Sequence, residues 1–296
     1  MHGKIMISLV GEQRVPNLLP VLQEKPQHVV LVYTERTKAV GERLRSVLKD
    51  RGISVEDEPL CVDPYDMADI ESKLKAHIMK KNWPPDKIVF NLTGGTKPMA
   101  FAAYRLAEQF GSPFLYVQSE GKKSVTYYYR FSARGPELEQ ADEVPPVLNI
   151  DLYLKVHLGE YSEGEPKEEF ERMVATVLQE ELDEVKTSIR PVELGALEID
   201  LVLRCGNHVG IAEVKTGGKA KKKEGIEQII TAAEQRFMGT YTKKFLILDR
   251  DYEFNNRKLA VAHGITVIEL PSAQNGGLSK EDTEKLLQIV KTELGG

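Results

Sequence analysis

The sequence is short of cysteine, of long apolar runs and of positive charge, and each shortage removes a class of protein. Cys61 and Cys205 are far apart and form no CxxC pair, so neither a disulfide framework nor a thiolate zinc site is expected. No apolar run approaches membrane-spanning length. The opening MHGKIMISLV runs straight into a strand without a cleavable signal pattern, so a cytoplasmic chain with no membrane partner is expected. His208 and His263 are isolated, and no HxH or HExxH occurs, which argues against a histidine metal site. The formal charge of −5 argues against coating nucleic acid non-specifically, because phosphate affinity needs clustered Lys and Arg. A nucleic-acid enzyme of this balance needs local basic patches, or an activation step that exposes them. Internal repeats and low-complexity segments are also missing.

What is present suits a soluble chain of one large or two ordinary domains: 296 residues, 41% hydrophobic and 29% charged. Residues 1–131 alternate strand and helix. Strands are expected at 4–10, 28–33, 54–62 (weaker), 87–92 and 114–117, with a final antiparallel strand at 124–131. Helices are expected at 15–23, 35–50, 66–80 and 99–110. Repeated βα units imply a mostly parallel, helix-covered sheet, a Rossmann-like α/β domain. Residues 132–147, SARGPELEQADEVPPV, carry the Gly-Pro, Pro-Pro and acidic signature of a linker, and 149–158 reads as a short bridging element. The expected division is therefore a domain at 1–131, a linker at 132–160 and a second domain at 161–296. In the second domain, 166–182 is an amphipathic helix with Phe170, Met173, Val174, Val177, Leu178 and Leu182 on one stripe. Residues 225–237 form another, with Ile226, Ile229, Ile230, Ala233 and Phe237 inward. Strands at 244–248 and 265–269 and a helix at 279–294 follow.

Between those two helices lies 198–215, EIDLVLRCGNHVGIAEVK. Ile199, Leu201 and Leu203 alternate with Glu198, Asp200, Val202 and Arg204, a strand pattern, and Gly206-Asn207 is a two-residue hairpin signal. Counting back from that turn places Asp200 opposite Glu213 and Glu198 opposite Lys215. Like charges facing across a sheet are destabilising, and neighbouring carboxylates resist ionising together. A divalent cation between them removes the conflict. Lys215 shares the face of Glu213, so two carboxylates and an ammonium suit metal-assisted hydrolysis. The plain structural account is a surface hairpin with a salt bridge.

Asp200 … Glu213-Val214-Lys215, on a hairpin between two amphipathic helices, resembles the D … ExK core of the PD-(D/E)xK nuclease superfamily. The resemblance implies a restriction-endonuclease-like domain. It further implies that Asp200, Glu213 and the Val214 carbonyl bind Mg²⁺ or Mn²⁺, and that Lys215 assists the nucleophile. Glu171, in its Phe-Glu-Arg context, is similar to the first-helix glutamate that many members aim at the metal; Glu168 and Glu169 compete for the role. Gln228 occupies the place of a polar helix residue near the metal in related nucleases. Beyond the hairpin, Lys219, Lys221, Lys222 and Lys223 are the densest basic run, either a solvated loop or contacts to substrate phosphates.

In the first domain the informative stretch is NLTGGTKP, 91–98. Its Gly-Gly turn joins a strand to a helix whose first turn accepts Pro98. Free N–H groups with the helix dipole behind them make an anion site; a glycine turn required only for tight packing is the plain alternative. The stretch is not the GxxxxGK[ST] phosphate loop, and the first strand leads into Gly-Glu-Gln-Arg at 11–14 rather than GxGxxG. That loop and the T-G-G-T-K turn together resemble the CARF sensor domains of CRISPR defence. In that family a cyclic oligoadenylate lies across a homodimer's twofold axis, at the carboxyl ends of the strands, where open α/β sheets bind ligands. The resemblance points to Gln13, Thr34, Thr93, Gly94, Gly95, Thr96 and Lys97, with Gln118 and Ser119 on the rim.

Taken together, the two resemblances match the CARF–PD-(D/E)xK effectors of type III CRISPR systems. The function they imply is cleavage of DNA, RNA or both by a homodimer, activated by cyclic tetra-adenylate or in some members hexa-adenylate. Two other classes stay open: a restriction or repair nuclease independent of any second messenger, and a non-catalytic regulator that only binds nucleic acid.

Overall fold

A computed structural model of the chain describes residues 3–120, 123–195, 197–221, 223–233, 238–239 and 241–295, with the side chains of Lys219 and Lys221 outside the description. The chain divides into two compact units, Met1–Val147 and Leu148–Gly296.

The first unit contains β1 (Ile5–Leu9), α1 (Val15–Glu24), β2 (His28–Tyr33), α2 (Lys38–Asp50), β3 (Leu60–Cys61) and α3 (Met67–Lys81). It continues with β4 (Ile88–Asn91), α4 (Lys97–Phe110), β5 (Phe114–Glu120), β6 (Lys123–Ser132) and β7 (Gly135–Glu143). The strands form one sheet in the order β3-β2-β1-β4-β5-β6-β7. β1 to β5 pair in parallel, and β6 and β7 add antiparallel. All five residues of β1 are buried, and all but Ser8 are apolar, because a parallel strand covered on both faces has no solvent side. Helices close the faces through narrow stripes, Leu44, Val47 and Leu48 on α2 and Met99, Ala102, Ala103, Leu106 and Ala107 on α4. The strand order reverses between β1 and β4, and past the carboxyl ends of such a pair open α/β sheets form a crevice for ligands.

The second unit contains α5 (Ile150–Leu158), β8 (Tyr161–Ser162), α6 (Glu169–Glu181), β9 (Glu184–Pro191), β10 (Ile199–Cys205) and β11 (His208–Lys215). It closes with α7 (Glu224–Ala232), β12 (Lys243–Leu248), α8 (Phe254–Ala262), β13 (Ile265–Glu269) and α9 (Lys280–Glu293). The sheet order is β13-β12-β11-β10-β9-β8. β8 to β11 run antiparallel and β11 to β13 parallel, so β11 sits where the two patterns meet. Phe170, Val174 and Leu178 of α6 and Leu286 and Val290 of α9 share a core with Leu201, Leu203, Ala212, Phe245 and Ile247. α7 lies against β11 and β12 at Gly225. A Cβ there would come 2.9 Å from Leu246 Cδ1 and 3.4 Å from Lys215 Cγ.

The hairpin is as its sequence predicts. Cys205 faces His208 across Gly206-Asn207, and the ladder continues to Leu201–Ala212. Gly206 takes φ +58°, as a tight turn of this kind requires. Several other expectations need correction. The stretch 132–160 is not a plain linker: Gly135–Glu143 is the edge strand β7 and Ile150–Leu158 is helix α5, capped by Asn149, whose Oδ1 accepts from the Leu152 N–H at 2.8 Å. The sequence of β7 looks like a linker because an edge strand can leave its side chains in water while β6 supplies its backbone partners. The expected strand at 54–62 shrinks to Leu60–Cys61 and an isolated bridge between Val29 and Val55. β9 and α8 were not expected at all. Phe237, read as an inward residue, lies outside the described residues. Among the described residues, no helix is long and apolar enough to cross a membrane.

Candidate functional site

In the second unit, Lys167, Glu168, Glu171, Glu198, Asp200, Glu213, Val214, Lys215, Thr216 and Gln228 line a cavity of about 160 Å³. The hairpin carries Asp200 and Glu213 into it side by side. Asp200 Oδ2 accepts the Val214 N–H at 2.8 Å. Lys215 forms an ion pair with Glu213 and lies 4.0 Å from Asp200 Oδ2. Glu213 is 3% exposed, and burial, followed by the charge of Asp200, pushes its carboxyl up to about 8. Burial also raises Asp200, against the Val214 N–H and the Lys215 charge. For Lys215, burial works against the ammonium, but Glu213 and Asp200 outweigh it and the net shift is upward.

Glu171 enters from the first turn of α6 and is buried. Its Oε2 accepts the Lys167 N–H at 3.2 Å, whereas Oε1 is buried with no hydrogen-bond partner. Burial and then the Asp200 charge raise its carboxyl as well. Three carboxylates and the Val214 carbonyl are hard oxygen donors of the kind Mg²⁺ and Mn²⁺ prefer, and a solitary buried carboxylate oxygen is costly unless something binds it. The donor set therefore fits such an ion. As arranged, however, the side chains do not converge. Asp200 spends Oδ2 on a backbone amide and Glu213 is taken up by Lys215, and among the described residues no three His, Cys, Asp or Glu side chains are close enough to hold a metal.

Glu198 does not meet Lys215. It accepts from Lys167 Nζ at 2.7 Å and from Arg190 Nη2 at 3.0 Å. Sequence reasoning missed both cations, since Arg190 belongs to the unexpected β9. Its alternation of Val185, Thr187 and Ile189 with Lys186, Ser188 and Arg190 was the available signal. Of the basic run, Lys223 is exposed just before α7. Lys219 and Lys221 belong to a 3-10 turn at Gly217–Lys221, and Lys222 lies outside the described residues. Asp249, also not foreseen, is buried and accepts from Thr216 Oγ1 at 2.6 Å and the Gly217 N–H at 3.0 Å, fixing the chain directly after Lys215.

In the first unit, the loop after β1, the Thr34–Thr37 turn after β2 and the Gly-Gly turn after β4 meet at the crevice where strand order reverses. Gly94 is pressed against the end of β1: a Cβ on it would stand 2.1 Å from the Leu9 carbonyl oxygen. Gly95 has φ +75°. Packing and conformation thus each demand a glycine here. Thr96 caps α4, its Oγ1 accepting from the Met99 N–H at 3.3 Å while donating to the Pro64 carbonyl at 2.6 Å. Lys97 begins the helix with its side chain exposed. Thr93 Oγ1 donates to Asn91 Oδ1 at 2.6 Å and accepts from the Val117 N–H at 2.8 Å, so it stitches β4 to β5. Thr34 is buried, and its hydroxyl accepts from the Thr37 N–H. Gln13 is half-buried in its loop. Gln118 and Ser119 lie on the exposed end of β5. Sequence reasoning missed Arg36, ion-paired to Glu12 at 2.5 Å. It also missed Asn17, buried beside Gly94 with its side-chain amide unpartnered.

Comparison with known proteins bears on both units. Over 99% of this chain and 98% of the other, the fold matches a structure of Can2 from Sulfobacillus thermosulfidooxidans in complex with cyclic tetra-adenylate, at TM-score 0.73 and 16% identity. It matches protein VC1899 from Vibrio cholerae over 99% of each chain, at TM-score 0.76 and 12% identity. A type III CRISPR defence DNA nuclease activated by cyclic oligoadenylate matches at TM-score 0.55 and 18% identity, over 86% of this chain and 46% of that one. At these identities the likeness is one of fold. No curated protein matches the sequence. The family model of the Card1 CARF domain, however, matches residues 5–153, half of the sequence and nearly all of the unit that holds the Gly-Gly turn, and the chain accordingly belongs to the Card1 CARF-domain family.

Proposed function

We propose that this protein is a metal-dependent nuclease of the PD-(D/E)xK type, switched on by a cyclic oligoadenylate, with cyclic tetra-adenylate the first candidate, and acting in type III CRISPR defence as a homodimer. The observation that carries the proposal is the cavity in which one hairpin sets Asp200, Glu213 and Lys215 beside Glu171, in a chain whose other half is a CARF domain.

Asp200, Glu213, Glu171 and the Val214 carbonyl would hold the ion, Mg²⁺ or Mn²⁺. The ion, when bound, polarises a phosphoryl oxygen and acidifies a water. Glu213 would serve as a ligand in its ionised form. Lys215 Nζ then donates to the attacking water and neutralises charge growing on the phosphoryl oxygens. α7, resting on Lys215 through Gly225, keeps the ammonium in reach. In the CARF unit the ligand sits in the crevice between β1 and β4. Its phosphates face the N–H groups of the Gly94–Gly95 turn and the Lys97 ammonium, and Gln13 lines the wall. Activation requires the ligand to bind one arrangement of the protein better than the other, since equal affinity shifts nothing.

The test is cleavage of plasmid DNA and single-stranded RNA with Mn²⁺, scanned over cyclic tri-, tetra- and hexa-adenylate. Cutting that appears only with one activator is expected. Equal cutting with and without activator would instead favour a messenger-independent nuclease. The engagement of Glu213 by Lys215 favours a second reading, a regulator that binds nucleic acid without cutting it. Glu213→Gln with Lys215→Ala separates the two, because a regulator's behaviour in Mn²⁺ buffer would not change.

A further inference from the structure

A polyanion entering this cavity meets Glu168, Glu171, Glu198, Asp200 and Glu213, and among the described residues lining it only Lys215 and the largely exposed Lys167 carry positive charge. Something at the mouth must offset that field. Segment 163–167 is tied to β9 by Thr187 Oγ1 donating to the Gly164 carbonyl at 2.6 Å and Ser188 Oγ donating to the Glu165 carbonyl at 3.0 Å. β9 is in turn paired with β10, Ile189 beside Ile199. These ties bring Lys167, Arg190 and Glu198 together from three separate stretches of chain. Glu198 stands between the two cations and is about two-thirds buried, while the Lys167 and Arg190 side chains remain 58% and 48% exposed. Each gives one donor to Glu198. Arg has five N–H donors and Lys three, so both keep donors directed elsewhere. Exposed ion pairs of this kind add little to folding stability, so a structural purpose accounts poorly for the arrangement.

We propose that Lys167 and Arg190 are the phosphodiester contacts at the mouth of this cavity, and that Glu198 is the positioning residue that aligns them rather than a metal ligand. The inference rests on the nuclease reading for its substrate, a nucleic-acid backbone. Deoxyribose and ribose backbones share the chemistry, so both enter the test.

The full-length protein is titrated into fluorescein-labelled single-stranded DNA and, separately, RNA of the same sequence. The titrations are run in EDTA with cyclic tetra-adenylate, across a range of salt. Lys167→Ala and Arg190→Ala are each expected to lower the slope of log K against log salt by about 0.7, and the double variant to weaken binding about tenfold at low salt. Lys167→Arg restores the slope. Glu198→Gln raises KM with kcat little changed, and leaves Mn²⁺ affinity, read by electron paramagnetic resonance, as in the wild type. An unchanged slope in the double variant overturns the phosphate assignment, and a loss of Mn²⁺ affinity in Glu198→Gln overturns the positioning role. If the wild type binds with the expected slope yet never cleaves, the nuclease reading fails while the contacts stand.

Discussion

The Glu213 carboxyl gives up its proton less readily in the folded protein than in the unfolded chain. Its carboxyl ordinarily titrates near 4.5 and is lifted to about 8 by burial and by Asp200. A group raised on folding contributes stability that is complete below its unfolded value and disappears as pH climbs through its folded one. In EDTA, the thermal midpoint is therefore expected to fall as pH rises from about 5 to about 8, and Glu213→Gln should flatten that decline. Mn²⁺ affinity should rise over the same interval, because binding expels the proton. A wild-type midpoint that stays level would show Glu213 ionised throughout. Under saturating activator, Glu213→Gln is expected to cut cleavage by about a hundredfold or more, with lesser losses if the metal can lean on Asp200 alone. At this scale the sequence is legible where geometry is a matter of counting: a two-residue turn fixes which residues of β10 and β11 face each other. The turn-capping part of Thr34 was not legible, because its partner Thr37 carries no signal of its own in the sequence. The count placed Glu198 opposite Lys215 in register, but its ion-pair partners could not be read, since Lys167 and Arg190 reach it through segments whose proximity no local pattern encodes.

Among the elements, α7 depends on Gly225 to lie directly on Glu213 and Lys215. Gly225→Val should cost about 1–3 kcal/mol by overpacking, seen in urea titration, and should also shift Lys215 and depress cleavage more than the lost stability explains. Activity that falls only in step with the folded fraction would remove α7 from the site. The parallel core of the CARF unit was readable because buried strands such as β1 and β2 are dominated by apolar residues, with only Ser8 and His28 polar. β7 was not, since its Gly-Pro start and exposed acidic residues look the same in an edge strand as in a linker. α8 escaped for a related reason: Asn256 and Ala260 are its only buried residues among those described, too thin a stripe to register as a helical period. β9 was hidden by the polar residues along it and by Ser188, whose φ of +47° interrupts an otherwise regular strand.

For the whole molecule, each unit has its own sheet and its own core, so each is expected to fold alone. A polypeptide ending at Val147 should unfold cooperatively and bind cyclic tetra-adenylate by calorimetry. The remainder, from Leu148, should be folded by circular dichroism yet indifferent to the ligand. Failure of the first fragment to bind would mean that the crevice needs residues from beyond its own unit. The division into two units could be read from the change in element order. The boundary could not, because the chain passes through an ordered strand and nearly into a helix before crossing it. Within the sensor, the carbonyl of Leu9 leaves no room for even a methyl group on Gly94, so natural selection has no side chain there to vary. On the proposed reading, discrimination between smaller and larger rings falls to the flanking loops, at 11–14 and around 118–119, and exchanging those segments between relatives is expected to transplant it.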